Sequence, residues 1–429
     1  MLGLDPLLNA IWTSGSEAAP DHRTFVAGAL VAGRGEYVRL SGALPVFARY
    51  WDPRRGVRPR PAPDHAPRLR SALLRTLERD LDPEGGNLLT LSGGVDSSSI
   101  GALAAGVLGR EVSTLTTLPV DDGPRARNLR YIDALDGAVG FHKRTEVILD
   151  AERRLTLLQD AGVPFHVPQP FLCLLPAVAR EQPVSVIVGG ELADQTVGST
   201  GLLYDWARHT TLTGLWRTRR RLPTGPRDLR PWLAYRVRRR VMHRVRVPFP
   251  GELPPPVRAE LRAEYDEWLD RRVAAAARDR GPMPYLAMYL ERHGFLGMHW
   301  EVTSALGIRR CLPFVTREVL ELAFECHPSE LVGPGSKRLL RDALREDVPA
   351  LNLERPDKGT SPQAPDRVSR RWRGEIPGAL EPILEPGWPP ARGAPPSEIY
   401  RVTQMLVFLR EFDKARSKAP NDRREHGSS

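Results

Sequence analysis

Residues Leu91 to Ser98 read Leu-Ser-Gly-Gly-Val-Asp-Ser-Ser. Apolar residues Leu88, Leu89 and Leu91 precede the glycines, and a small-residue stretch, SIGALAAGVL at 99–108, follows them. The pattern is strand, glycine turn and helix start, an arrangement suited to a phosphate chain. Gly93 and Gly94 let the backbone approach a ligand closely. Unpaired N–H groups at the helix start face an anion there, and the helix dipole favours negative charge. Ser92, Ser97 and Ser98 add hydroxyl donors. Asp96 would repel phosphate unless a cation lay between them, which implies Mg²⁺. The plainer alternative is a serine-rich helix cap behind a glycine turn.

Outward from this stretch, the apolar β-rich runs 87–91, 111–118, 143–149 and 184–189 alternate with helical patterns at 97–109, 124–138 and 170–181. Strands alternating with helices predict an α/β fold with a parallel sheet. Ligands of such sheets sit beyond the carboxyl ends of the strands, where the glycine turn falls. The run 184–188 ends in a second glycine turn, Gly189-Gly190-Glu191-Leu192-Ala193-Asp194-Gln195, which carries two carboxylates. From about residue 203 the pattern is largely helical, at 256–278, 284–306, 316–326, 336–346 and 397–415. Before the sheet, 33–53 reads as two short strands, 52–64 as a Pro-rich linker and 65–80 as a helix. Residues 374–396 read as irregular.

The chain has 429 residues, 41% of them hydrophobic, which is enough for a sizeable core. Cys173, Cys311 and Cys326 are widely spaced and form no metal-pair pattern, which fits a reducing cytoplasm. MLGLDPLLNAIW lacks the basic start of a signal peptide, and no apolar run reaches the length of a membrane span. The net charge is +10. It concentrates in 217–246, where RTRRR and YRVRRRVMHRVR occur. Nucleic acid, an acidic peptide or a membrane surface could dock on this segment, but a solvated basic helix face is the preferred reading. No nucleic-acid signature that carries specificity is present.

The loop resembles the S-G-G-x-D-S-S pyrophosphate loop of ATP pyrophosphatases and lacks the Walker pattern. Gly190, Glu191, Ala193 and Asp194 resemble the G-E-G-x-D-E turn of the asparagine synthetase family, with Leu192 in place of its second glycine and Gln195 in place of its second acid. Gly333 to Arg341 resembles that family's G-x-x-K-x-x-L-R helix start, centred on Lys337. Arg355-Pro-Asp-Lys358-Gly359 resembles its R-x-K-x-G segment. Pro313-Phe314 resembles its P-F-x-D segment, with Thr316 at the aspartate. The resemblance covers about residues 36–365.

This resemblance implies a PP-loop core of the adenine nucleotide α-hydrolase type, with ATP and Mg²⁺ as cofactors. Ser92, Gly93, Gly94, Asp96, Ser97, Ser98, Gly189 and Gly190 would bind pyrophosphate, and Thr117, with Thr116, would lie near the adenine. Asp96 and Asp194 would hold the metal. Lys358 and Lys337 would meet developing charge, and Glu191 would act as base or orienter for an attacking amine. The implied domains are a remnant of a glutaminase-like domain at 1–62, a synthetase domain at 63–416 and a disordered tail at 417–429. Because the first cysteine is Cys173, glutamine hydrolysis is not expected. The expected function is ATP-dependent amide formation through an acyl-adenylate. Lasso-peptide-like macrocyclisation comes first, with a peptide or small-molecule carboxylate as substrate and a precursor peptide and companion processing protein as partners. The alternatives are asparagine synthesis from free or partner-supplied ammonia and an inactive scaffold.

Overall fold

A computed structural model describes residues 22, 28–33, 35–41, 44–150, 153, 156–157, 170–198, 257–278, 281, 283–284, 286–287, 290, 303–331, 337–356 and 384. Lys358, the basic segment 217–246, the 374–396 and 397–415 segments and the 417–429 tail lie outside these residues, as does most of 284–306.

The centre is a five-stranded sheet in which every pairing is parallel. Its strands are β3 (Asn87–Thr90), β4 (Val112–Leu118), β5 (Lys143–Ile148), β6 (Val186–Val188) and β7 (Arg309–Cys311), in the spatial order β5-β4-β3-β6-β7. Composition explains the order. In β3 and β6, Leu88, Leu89, Val186, Ile187 and Val188 are all buried, as in a strand covered on both faces. By contrast, β5 reads KRTEVI, is partly exposed along its length, and stands at an edge where charge discourages further pairing. The fold is therefore α/β, as the alternation predicts. β7 is an addition to the sequence reading: three residues, two of them arginines, carry no strand signal. Its register is set by β6, with Val186 opposite Arg309 and Val188 opposite Cys311.

The chain enters the sheet at β3, winds outward through β4 and β5, then returns to the other side of β3 for β6 and β7. The winding reverses between β3 and β6, so their carboxyl ends flank a crevice. A separate antiparallel hairpin, β1 (Glu36–Ser41) with β2 (Leu44–Arg49), precedes the sheet and matches the two short strands read from 33–53.

Helix α1 (His65–Asp80) buries Leu69, Ala72, Leu73, Thr76 and Leu77, a stripe at helical spacing. Each leucine contributes about 1.5–3 kcal/mol of apolar burial. Helix α2 (Val95–Gly101) starts two residues before the predicted 97 and runs on into wide π turns at Ala102–Val107. Helices α3 (Asp122–Val139) and α4 (Pro170–Glu181) follow the predicted positions. Short α5 (Ala193–Thr196) leaves the second glycine turn, and α6 is Ala259–Arg278. After β7 come a 3₁₀ turn (Pro313–Val315), α7 (Arg317–Glu325), α8 (Pro328–Leu331), α9 (Arg338–Ala343) and α10 (Ala350–Leu353). α1 packs against the π turns, β7, α7 and α9. No helix among the described residues is long and apolar enough to cross a membrane.

Candidate active site

The loop between β3 and α2 is shaped by its glycines and serines. Gly93 sits at φ +68, and a side chain there would meet Tyr131 Cβ at 3.1 Å and Arg355 Nη1 at 3.2 Å. Only glycine satisfies both the left-handed backbone and the space. The Ser92 N–H donates to Ser97 Oγ at 3.2 Å, Ser97 Oγ donates to the Gly94 carbonyl at 3.3 Å, and the Gly94 N–H donates to Ser92 Oγ at 3.3 Å. The two hydroxyls therefore brace the turn from inside. Gly94 begins α2 with no side chain capping the first turn, which leaves the helix start for an anion. Ser98 departs from its sequence assignment. It is wholly buried and its hydroxyl accepts from Asn352 Nδ2 at 3.2 Å, so it supports the loop from behind.

The second turn leaves β6 directly beside the first. A Cβ on Gly190 would lie 2.9 Å from Asp96 Cβ and 3.3 Å from the Ser97 nitrogen, so the two loops touch backbone to backbone. Gly189 is buried and its N–H donates to the Cys311 carbonyl of β7 at 3.2 Å. Leu192, where the resembling motif has glycine, takes φ +65. A left-handed leucine costs about 1–2 kcal/mol, which the burial of its side chain offsets. Asp194 lies in the first turn of α5.

Asp96 and Asp194 converge on one cation. The ammonium of Lys337 donates to Asp96 and pairs with Asp194 at 2.9 Å. Lys337 is buried and caps α9 in a left-handed conformation at φ +65. Burial disfavours its charge, but Asp96 and then Asp194 outweigh this and hold its pKa above the ordinary lysine value. Two carboxylates closing on a single positive group are a donor set of the hard-oxygen kind that Mg²⁺ takes together with phosphate oxygens, so the residues present fit that ion.

Glu191 does not stand alone. One of its oxygens accepts from Arg310 Nη2 at 2.9 Å, and the Arg310 side chain is 3% exposed. Burial lowers the Arg310 pKa, and the Glu191 carboxylate opposes that shift. On β4, Thr116 is buried and donates to the Leu91 carbonyl at 2.8 Å, tying β4 to the start of the loop, while Thr117 keeps partial exposure at the carboxyl end. Thr316 is the N-cap of α7, its hydroxyl accepting from the Val319 N–H at 3.4 Å. Threonine and aspartate both serve as helix caps, so the capping bond survives this departure from the motif. Gln195 lies on α5, but its side chain is outside the description, as is Lys358.

A family model described as asparagine synthase matches residues 68–426, a span that takes in both glycine turns, Lys337 and Lys358. The chain belongs to the asparagine synthase family. No curated protein matches the chain. Membership in the asparagine synthase family supports an ATP-dependent ligase or amidotransferase chemistry. Arg355 donates to the Gly93 carbonyl at 2.8 Å and to Asn128 Oδ1 at 2.9 Å, and within the matched span the sequence reading gave no role to Arg355, Asn128, Arg310 or Asn352. Arg355 was visible as the lead-in to Lys358. Arg310 sits in a strand that gave no signal, and Asn128 and Asn352 resemble ordinary helix asparagines until the fold brings them together.

Proposed function

We propose that this member of the asparagine synthase family activates a carboxylate as its acyl-adenylate and then joins it to an amine. The observation that carries this reading is the convergence of Asp96 and Asp194 on one cation beside the Ser92–Ser97 loop, at the point where the sheet reverses. The substrate carboxylate oxygen attacks the α-phosphorus of ATP, and the bond to the β-phosphate oxygen breaks. The departing pyrophosphate is held by the loop and the start of α2. Magnesium bound by Asp96 and Asp194 would supply charge neutralisation to the phosphates. The amine then attacks the acyl carbon, AMP leaves with its bonding pair, and the amine proton is lost. Lys358 is assigned to the charge that develops at the phosphate, and Lys337 to the same polyanion. Glu191, held by Arg310, orients the amine.

For the acceptor, we propose peptide macrocyclisation, with a precursor peptide and a companion processing protein as partners and the cytoplasm as the compartment. Membership of a family whose chemistry joins a carboxylate to an amine supports this. So does the basic segment 217–246, which suits an acidic peptide. The test is pyrophosphate release from ATP and Mg²⁺ with candidate peptides, and with aspartate plus ammonia, comparing wild type with Asp96→Ala. Release with a peptide, together with a product lighter by one water, supports cyclisation. Release only with aspartate and ammonia would replace it by asparagine synthesis. No release under any substrate set would reject the ligase assignment. Asp96→Ala is expected to lower the rate by roughly a hundredfold or more.

A further inference from the structure

We propose that Arg355 is a positioning residue that holds the glycine–serine loop in its phosphate-receiving shape, a role that rests on the nucleotide-binding function assigned above. The residue is 1% exposed. Nη1 donates to the Gly93 carbonyl at 2.8 Å and, more distantly, to the Ser92 carbonyl at 3.5 Å. Nη2 donates to Asn128 Oδ1 at 2.9 Å. The guanidinium carbon lies 4.2 Å from the centre of the Tyr131 ring. The same segment is tied at two further points. Arg341 donates to the Arg355 carbonyl at 3.0 Å, and Asn352 Nδ2 donates to the Tyr131 carbonyl at 2.7 Å as well as to Ser98. Both ends of the loop, Ser92–Gly93 and Ser98, are therefore fastened to residues 352–355.

The peptide between Gly93 and Gly94 explains why this matters. In a trans peptide the carbonyl and the following N–H point in opposite directions. Anchoring the Gly93 carbonyl inward on Arg355 sets the Gly94 N–H on the opposite side of the peptide, where it donates to Ser92 Oγ at 3.3 Å. A glycine at φ +68 has little intrinsic resistance to a flip of that peptide. Flipped, the peptide would lose both the Arg355 bond and the Ser92 brace, and would turn a carbonyl oxygen to the side from which a polyanion would have to approach. Arg355 opposes this with charge-assisted bonds made in a buried place. Arg355 is assigned to act through the loop. Arg355 also precedes Lys358 by three residues, so the strap that sets the loop begins the segment carrying the lysine assigned to the reaction.

The experiment is calorimetric binding of Mg-pyrophosphate to wild type, Arg355→Gln, Arg355→Lys and Asn128→Ala, with Arg70→Gln as control. Arg70 pairs with Asp347 at 2.7 Å, away from the loop, and its loss should lower thermal stability alone. Losing charged hydrogen bonds predicts affinity roughly tenfold or more weaker in Arg355→Gln. Arg355→Lys should fall between, because an ammonium cannot span Gly93 and Asn128 together. Asn128→Ala should lose less, in the same direction. In turnover the KM for ATP should rise while the KM for the carboxylate substrate stays unchanged. If Arg355→Gln does not fold, Arg355→Lys and Asn128→Ala decide. Variants that bind Mg-pyrophosphate as tightly as wild type, with only a lowered melting temperature like Arg70→Gln, would overturn the positioning role. A wild-type protein that fails to bind Mg-pyrophosphate would instead overturn the nucleotide function itself.

Discussion

At the scale of single residues, the site is built from side chains that accept unfavourable conformations in return for a fixed contact. Leu192 and Lys337 are two of the few described non-glycine residues at positive φ, and both border the acid pair. Lys337 carries the larger consequence. Removing its ammonium leaves Asp96 and Asp194 facing each other with less compensation. Loss of one partner of a buried ion pair costs about 3–5 kcal/mol, less here because both acids keep some solvent contact. Lys337→Met is therefore expected to melt well below wild type. Added Mg²⁺ without nucleotide should recover more of the melting temperature in the variant than it adds to wild type, as differential scanning fluorimetry would register. Equal magnesium responses would argue that the carboxylates do not share a cation site. Thr316 sets the opposite expectation. Thr316→Asp should leave stability and turnover near wild type, whereas Thr316→Ala should lose about 0.5–2 kcal/mol in a denaturant titration. The sequence showed Thr316 as a departure from its motif. It could not show that the hydroxyl does the same capping work.

At the scale of elements, the sequence was most informative where one physical requirement dominated. The apolar runs of β3 and β6, the stripe on α1 and the glycine turn before α2 each had a single signal, and each was found near its predicted place. Where several weak requirements met, the sequence was silent. β7 takes its place from pairing with β6 and from packing against α1, since Arg309 and Arg310 have no strand character of their own. The π turns at Ala102–Val107 were likewise unpredicted, because small residues signal a helix of any width. They follow a close approach of α2 to β3 at Gly101. A Cβ on Gly101 would lie 3.0 Å from Leu89 Cδ2, 3.0 Å from Phe141 Cζ and 3.2 Å from Leu135 Cδ2. Gly101→Val should overpack that contact on three sides and cost about 1–3 kcal/mol. A shift in the urea midpoint at constant slope is the measurement, and an unchanged midpoint would show that the helix can move off the sheet.

At the scale of the whole molecule, the residues ahead of the sheet are bound to those behind it by carboxylates. Trp51 Nε1 donates to Glu321 at 2.9 Å, and Arg68 holds Glu325 in a bidentate pair. The hydrogen bonds from Arg68 keep the Glu325 carboxyl below the usual glutamate value of 4.5. For Glu321, burial pulls upward but is outweighed by the bonds from Trp51 and Arg317. A carboxyl whose pKa is lowered by folding stabilises the protein above its unfolded pKa, and that contribution is lost as pH falls through the folded one. The melting temperature should therefore drop as pH is lowered through 4.5 and beyond, and Arg68→Gln should show a shallower acid decline. The same long reach governs how the molecule comes into being. Lys337 joins Asp96 across 241 positions of chain, and Arg355 joins Gly93 across 262. The nucleotide loop leaves the ribosome early, yet its counter-charge and its strap emerge only when most of the protein has been translated. Ribosome-stalled chains that end before Lys337 are therefore expected to retain no Mg-pyrophosphate in a pull-down, whereas chains that extend past Arg355 should retain it.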